Sequence, residues 1–233
     1  YAGAEVLGGS AGYRTWDGET LWSYGEYIWR EGLDPGTTGY GFDTVIRYDV
    51  TGGGSDWNFG HQAPAPDQID FRTVLTHELG HAFGFSTAYD FSFDRWGIWT
   101  GIRYDGITAW DRNLIDSAGN KPLNGTTGTP GNFNEYDNPV YWDGPAATAL
   151  YGDPVPIYAP DTWRRGSSLA HLDEALLGDY LMSPAQVEGQ AVRALSDLEW
   201  AMMTDMGWQI IPEPTSLLLL GPGGLILRKR TNR

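Results

Sequence analysis

The chain has 233 residues, 41% of them from the set AVILMFWYC, which is enough for one sizeable core, and its eleven Trp and thirteen Tyr favour a packed globular body over disorder. The formal net charge is −15, and residues 1–211 hold 11 basic against 29 acidic side chains, a balance that nucleic acid phosphates would repel. There is no cysteine, which excludes disulfides, thiol catalysis and Cys-ligated zinc.

In residues 19–31, Leu21, Trp22, Gly25, Ile28 and Trp29 share one stripe, which predicts an amphipathic helix broken at Asp34-Pro35-Gly36. Residues 44–50 alternate. They predict a strand with Ile46, Tyr48 and Val50 buried and Arg47 and Asp49 outward. Gly52-Gly53-Gly54 predicts a turn, and residues 56–60 (Asp-Trp-Asn-Phe-Gly) a short strand. Asp70 is the expected N-cap of a helix from Phe71 to about Phe83, with Gly84 as a left-handed C-cap. Gly80 inside that helix costs about 1 kcal/mol relative to Ala, so a close approach, such as that of another backbone, is expected there.

Residues 86–168 carry turn signals at Ser117–Asn120, Asn124-Gly125 and Asp143-Gly144-Pro145. Short strands and irregular loops are expected, with no separate domain. Ser196 and Glu199 form a capping box for a helix to about Met206, stopped by Gly207. Residues 208–211 close the folded body. The character then changes: Pro212-Glu213-Pro214 leads into an apolar run at 215–227 and a basic end, Arg228-Lys229-Arg230. That run is shorter than the roughly 17–25 residues of a spanning helix.

The segment from His77 to Gly84 reads H-E-x-x-H-x-x-G. Four residues apart on a helix, His77 and His81 project from one face and can both reach a zinc ion. Glu78, beside the first histidine, is placed to take a proton from water at the metal without being a ligand. The pattern points to zinc-assisted hydrolysis of a peptide bond. A third ligand is needed. The longer motif would put it at Thr87, a poor zinc ligand, so the site is completed from elsewhere, with His61 and His171 as the histidine candidates.

His171 stands in Gly166-Ser167-Ser168-Leu169-Ala170-His171 and is followed by Leu181-Met182-Ser183-Pro184. This order resembles the leishmanolysin branch of the metzincin proteases. Tyr151-Gly152, residues 155–160 and Asp205–Trp208 extend the likeness to bacterial exported relatives of that branch, over roughly residues 40–211. The resemblance implies an α+β zincin-like fold, in which a twisted mixed sheet packs with an active-site helix and a C-terminal helix. It implies His171 as the third zinc ligand, Met182 as the methionine of a turn beneath the metal, and Trp57, Asn58 and Phe59 as a strand edge for an extended substrate. His61 is then a surface or cleft-rim residue. A glutamate third ligand is disfavoured, because Gly84 belongs to the metzincin pattern. The acidic, Gly-rich loops offer oxygen ligands for calcium, but no D-x-D-x-D-G-type loop is present, and solvation is their simpler role.

Pro-Glu-Pro, an apolar run and a basic end resemble the PEP-CTERM sorting tail of exported bacterial proteins. This implies a 1–211 catalytic domain followed by a 212–233 tail, transient membrane contact, and a sorting enzyme that removes the tail. A secreted or cell-surface location follows, with the signal peptide absent from this chain. The expected activity is that of a secreted zinc endopeptidase acting on protein or peptide substrates and not on nucleic acid. The alternative is a non-catalytic extracellular surface or matrix protein that retains the fold, and the presence of Glu78 beside intact His77 and His81 favours the enzyme.

Overall fold

A computed structural model describes residues 8–12, 14–16, 21–23, 44–49, 54–90, 95–96, 98–99, 102–103, 107–122 and 139–209. The fold is mixed α plus β. Before the motif helix come β1 (Gly8–Gly12), β2 (Arg14–Trp16), β3 (Leu21–Ser23), β4 (Thr44–Tyr48), β5 (Asp56–Asn58) and β6 (Gln68–Asp70). Helix α1 spans Phe71–Ala82. After it come β7 (Tyr89–Asp90), β8 (Arg95–Trp96), β9 (Ile98–Trp99), β10 (Ile102–Arg103), β11 (Leu114–Ile115) and β12 (Val140–Trp142). Helix α2 (Pro145–Tyr151), β13 (Val155–Ile157), α3 (Glu174–Leu177) and α4 (Asp197–Asp205) follow.

Where one twisted mixed sheet is expected, the described pairings give one three-stranded sheet, β11-β12-β13, and five two-stranded ones. Of these pairings only β5–β6 is parallel. The three-stranded sheet is the floor of the core. Val140 and Trp142 of β12 and Val155 and Ile157 of β13 are buried, joined by Phe85, Trp110, Leu172, Met182, Met202 and Met206. Helix α2 packs on α4 over this floor. Its first-turn N–H groups, at Ala146 and Ala147, donate to the Asp205 carboxylate at 2.8 and 3.0 Å, so the end of α4 caps the start of α2. Glycine is required at 144, because a β-carbon there would overlap the Asp205 carboxylate and the Trp142 indole nitrogen.

Three further expectations differ from the structure. Residues 21–23 form a strand paired with β2 and not part of a helix; the alternation Leu-Trp-Ser serves a hairpin as well as it serves a helical stripe, and the rest of 19–31 lies outside the described residues. β4 forms as expected, but Tyr48 on its supposedly buried face is 47% exposed and lies edge-on to Phe71, with ring centroids 5.0 Å apart. The loop-rich middle contains α2, which the turn signal Asp143-Gly144-Pro145 hides: Pro145 is the first helical residue, where its missing N–H costs nothing. Val50, Gly52, Gly53, Asn124-Gly125, residues 210–211 and the 212–233 tail lie outside the described residues.

Candidate metal centre

Helix α1 begins and ends as its sequence dictates. The Asp70 carboxylate accepts from the Thr73 N–H at 2.9 Å and from the Thr73 hydroxyl at 2.8 Å. Arg193 donates to the same carboxylate through Nε at 2.9 Å and Nη2 at 2.6 Å, a two-pronged pair in which Asp70 is buried and Arg193 partly exposed. Its guanidinium also donates to the carbonyls of His61 and Gln62, tying the loop after β5 to the start of α1. Burial pushes the Asp70 carboxyl up, but the bonds from Arg193 and Thr73 outweigh it and hold the group below its ordinary value.

At the other end, Gly84 takes φ +117°. Its N–H donates to the His81 carbonyl at 3.2 Å, and the Phe85 N–H donates to the Gly80 carbonyl at 3.1 Å, a Schellman turn. This turn carries the Phe85 carbonyl back to His81 Nδ1, at 2.5 Å. The glycine of H-E-x-x-H-x-x-G therefore orients the second histidine.

His171 arrives from a segment braced on β13. The Tyr158 N–H donates to the His171 carbonyl and the Leu169 N–H to the Tyr158 carbonyl, both at 2.9 Å. Leu169 is buried at φ +63°, a costly conformation for a branched side chain. Trp110 holds it there, its indole N–H donating to the Leu169 carbonyl at 2.7 Å. The Trp110 ring also packs on Phe85, centroids 5.0 Å apart, so one side chain braces the segments behind two of the histidines.

The three imidazoles meet with Nε2–Nε2 separations of 3.0 Å (His77–His81), 3.1 Å (His81–His171) and 3.2 Å (His77–His171). Each Nδ1 faces a backbone carbonyl: Leu181 at 2.7 Å for His77, Phe85 for His81 and Ser167 at 2.8 Å for His171. A carbonyl only accepts, so each Nδ1 carries the hydrogen and each neutral ring leaves Nε2 as a bare lone pair. Three lone pairs cannot hydrogen-bond to one another; they ask for a cation. With metal–nitrogen bonds of about 2.0–2.1 Å, tetrahedral angles put ligand nitrogens about 3.3 Å apart, close to the observed triangle. Burial, reinforced for His81 and His171 by their neighbouring imidazoles, holds all three rings below their ordinary 6.5, His81 at about 3. The residues present therefore fit a metal ion, and among the described residues His77, His81 and His171 are the group that could hold one.

Glu78 follows His77 on α1 and is buried. Met182 is fully buried beneath the helix, and a β-carbon on Gly80 would overlap its sulfur and come within 3.0 Å of its methyl. The approach expected at Gly80 is therefore that of a side chain, not of a backbone. Thr87 stands outside the triangle, its hydroxyl accepting from the Tyr89 N–H. His61 is exposed and faces Arg72 at 3.1 Å, away from the three histidines. Trp57, Asn58 and Phe59 lie on and after β5, which pairs with β6 and so leads into α1. Trp57, Phe59 and Phe71 form an aromatic group there, with Phe59 61% exposed.

Two parts of the site had no signal in residue identity. The carbonyls of Leu181, Phe85 and Ser167 belong to the backbone, which every residue has. Trp110 was one tryptophan among eleven. No protein-family model matches the chain, and neither the curated proteins nor the solved structures compared with it gave a match.

Proposed function

We propose that this protein is a zinc-dependent endopeptidase of the metzincin type, close in plan to the leishmanolysin branch. The observation that carries the reading is the convergence of three bare Nε2 atoms, from His77, His81 and His171, with the buried Glu78 next to His77 on the same helix. When bound, zinc supplies a Lewis acid that acidifies water and polarises the scissile carbonyl. Glu78 accepts a proton from the attacking water as its oxygen bonds to the carbonyl carbon. The same carboxyl then returns the proton to the amide nitrogen as the C–N bond breaks, so Glu78 ends the cycle as it began. Met182 supports α1 from below, and the three backbone carbonyls keep the rings in the tautomer that leaves Nε2 free.

An extended peptide is accommodated along Trp57, Asn58 and Phe59 by strand addition, with the aromatic group beside it taking apolar side chains. The work is extracellular, and the 212–233 tail directs sorting. Among the described residues no helix is long and apolar enough to cross a membrane. The test is clearing of casein by the purified protein. Clearing that a zinc chelator abolishes and added zinc restores is expected. A protein that binds zinc and leaves casein and gelatin intact would instead be a non-catalytic surface or matrix protein.

A further inference from the structure

The capping box at the start of α4 has a carboxylate with a second use. Glu199 is fully buried. Its Oε2 accepts from the Ser196 N–H at 2.7 Å and from the Ser196 hydroxyl at 2.8 Å, which completes the box. Its Oε1 turns away from α4 and accepts from the Met182 N–H at 2.7 Å. That N–H and the Leu181 carbonyl are the two polar edges of one peptide plane, and across a trans peptide they point in opposite directions. On the far edge, the Leu181 carbonyl accepts from His77 Nδ1 at 2.7 Å.

We infer that Glu199 is a positioning residue for the metal centre, acting on His77 through the Leu181–Met182 peptide. A buried carboxylate on the N–H edge polarises the peptide and makes its carbonyl a stronger acceptor. The His77 Nδ1–H bond tightens and Nε2 becomes a better donor to a metal. In many metal sites a carboxylate bonds the histidine directly; here one peptide unit stands between them. The same contact fixes the height of the Met182 side chain under Gly80, so α4 sets both the electronics of the first histidine and the floor beneath it. Nothing in a capping box requires this second contact, since the box is satisfied by Ser196 alone.

The inference rests on the reading of the three histidines as a metal centre, and its test separates the two. Cobalt(II) affinity and the visible cobalt spectrum are measured for wild type, Glu199→Gln, Ser196→Ala and His171→Ala. The nitrogen shift of His77 Nδ1 is recorded by NMR on the metal-free proteins. Glu199→Gln is expected to weaken cobalt binding by about 10-fold or more, alter the spectrum and shift His77 Nδ1. Ser196→Ala damages the box alone, so it should lower stability and leave affinity, spectrum and shift unchanged. Glu199→Asp, still charged but one methylene shorter, reads the same contact if the Gln protein does not fold, and should also weaken binding. Wild-type cobalt binding that depends on His171 but is matched by both Glu199 variants, with His77 Nδ1 unmoved, would overturn this inference alone. Wild-type protein that binds no cobalt would overturn the metal reading and this inference with it.

Discussion

The sulfur of Met182 occupies the space that a side chain at Gly80 would fill. The pair explains why the motif helix carries a glycine in its third turn despite the cost to helix stability, and it couples α1 to the turn that orients His77. Gly80→Ala should destabilise the metal-free protein by about 1–3 kcal/mol through overpacking. In a Met182→Ala background the sign should reverse, with the alanine recovering up to about 1 kcal/mol of helix propensity. Urea unfolding of the four proteins gives this double-mutant cycle. Additive effects would show that the two residues do not share the space.

The third ligand is tested by metal content. After dialysis against zinc and gel filtration, wild type and His61→Ala should each retain about one zinc per chain, and His171→Ala far less. His61 faces Arg72 outside the triangle, so its loss removes no ligand. Zinc retained fully by His171→Ala would contradict the site.

Much of this centre was legible in the sequence because helix periodicity and capping are local. The Asp70 cap, the ends of α1, the Ser196–Glu199 box and the strand at 44–48 follow from residues within a few positions of one another. With four histidines in the chain, His61 and His171 are the candidates for the third position, and only the likeness of its surroundings to a known branch singles out His171, since no spacing rule links positions 90 residues apart. What stayed hidden acts at long range or through the backbone. The Leu181–Met182 peptide between Glu199 and His77 leaves no mark in residue type. Nor does Asp205 capping α2 from 58 residues away. The strand at 21–23 was missed because three residues satisfy a helical and an alternating pattern equally.

Trp110 joins the two braces of the site, through its ring to Phe85 and its N–H to Leu169. Trp110→Phe keeps much of the ring packing and removes the donor, leaving a buried carbonyl on a residue held at positive φ. A loss of about 1–3 kcal/mol is expected in urea unfolding of the metal-free protein. A change within about 0.5 kcal/mol, typical of surface positions, would show that Leu169 does not depend on the indole.

The Asp70–Arg193 pair sets a pH dependence. The folded-state pKa of Asp70 is lower than its ordinary 3.8. Between those values the unfolded chain binds a proton that the native protein does not, so acid favours unfolding. The contribution is fully present above the ordinary value and is lost as pH falls through the folded one. The stability gap between wild type and Asp70→Asn should therefore be flat from about pH 5 to 8 and shrink below about pH 4. A gap that widens with acid would reverse the sign and contradict the pairing.

In the proposed function, three histidines hold a zinc whose hydrolytic use depends on Glu78. The most direct measurement is the rate of casein cleavage by Glu78→Ala at a zinc content matched to wild type. Full zinc occupancy with a rate reduced by at least about 100-fold is the predicted result, because the carboxylate carries protons and binds no metal. Cleavage at the wild-type rate by the zinc-loaded variant would contradict it.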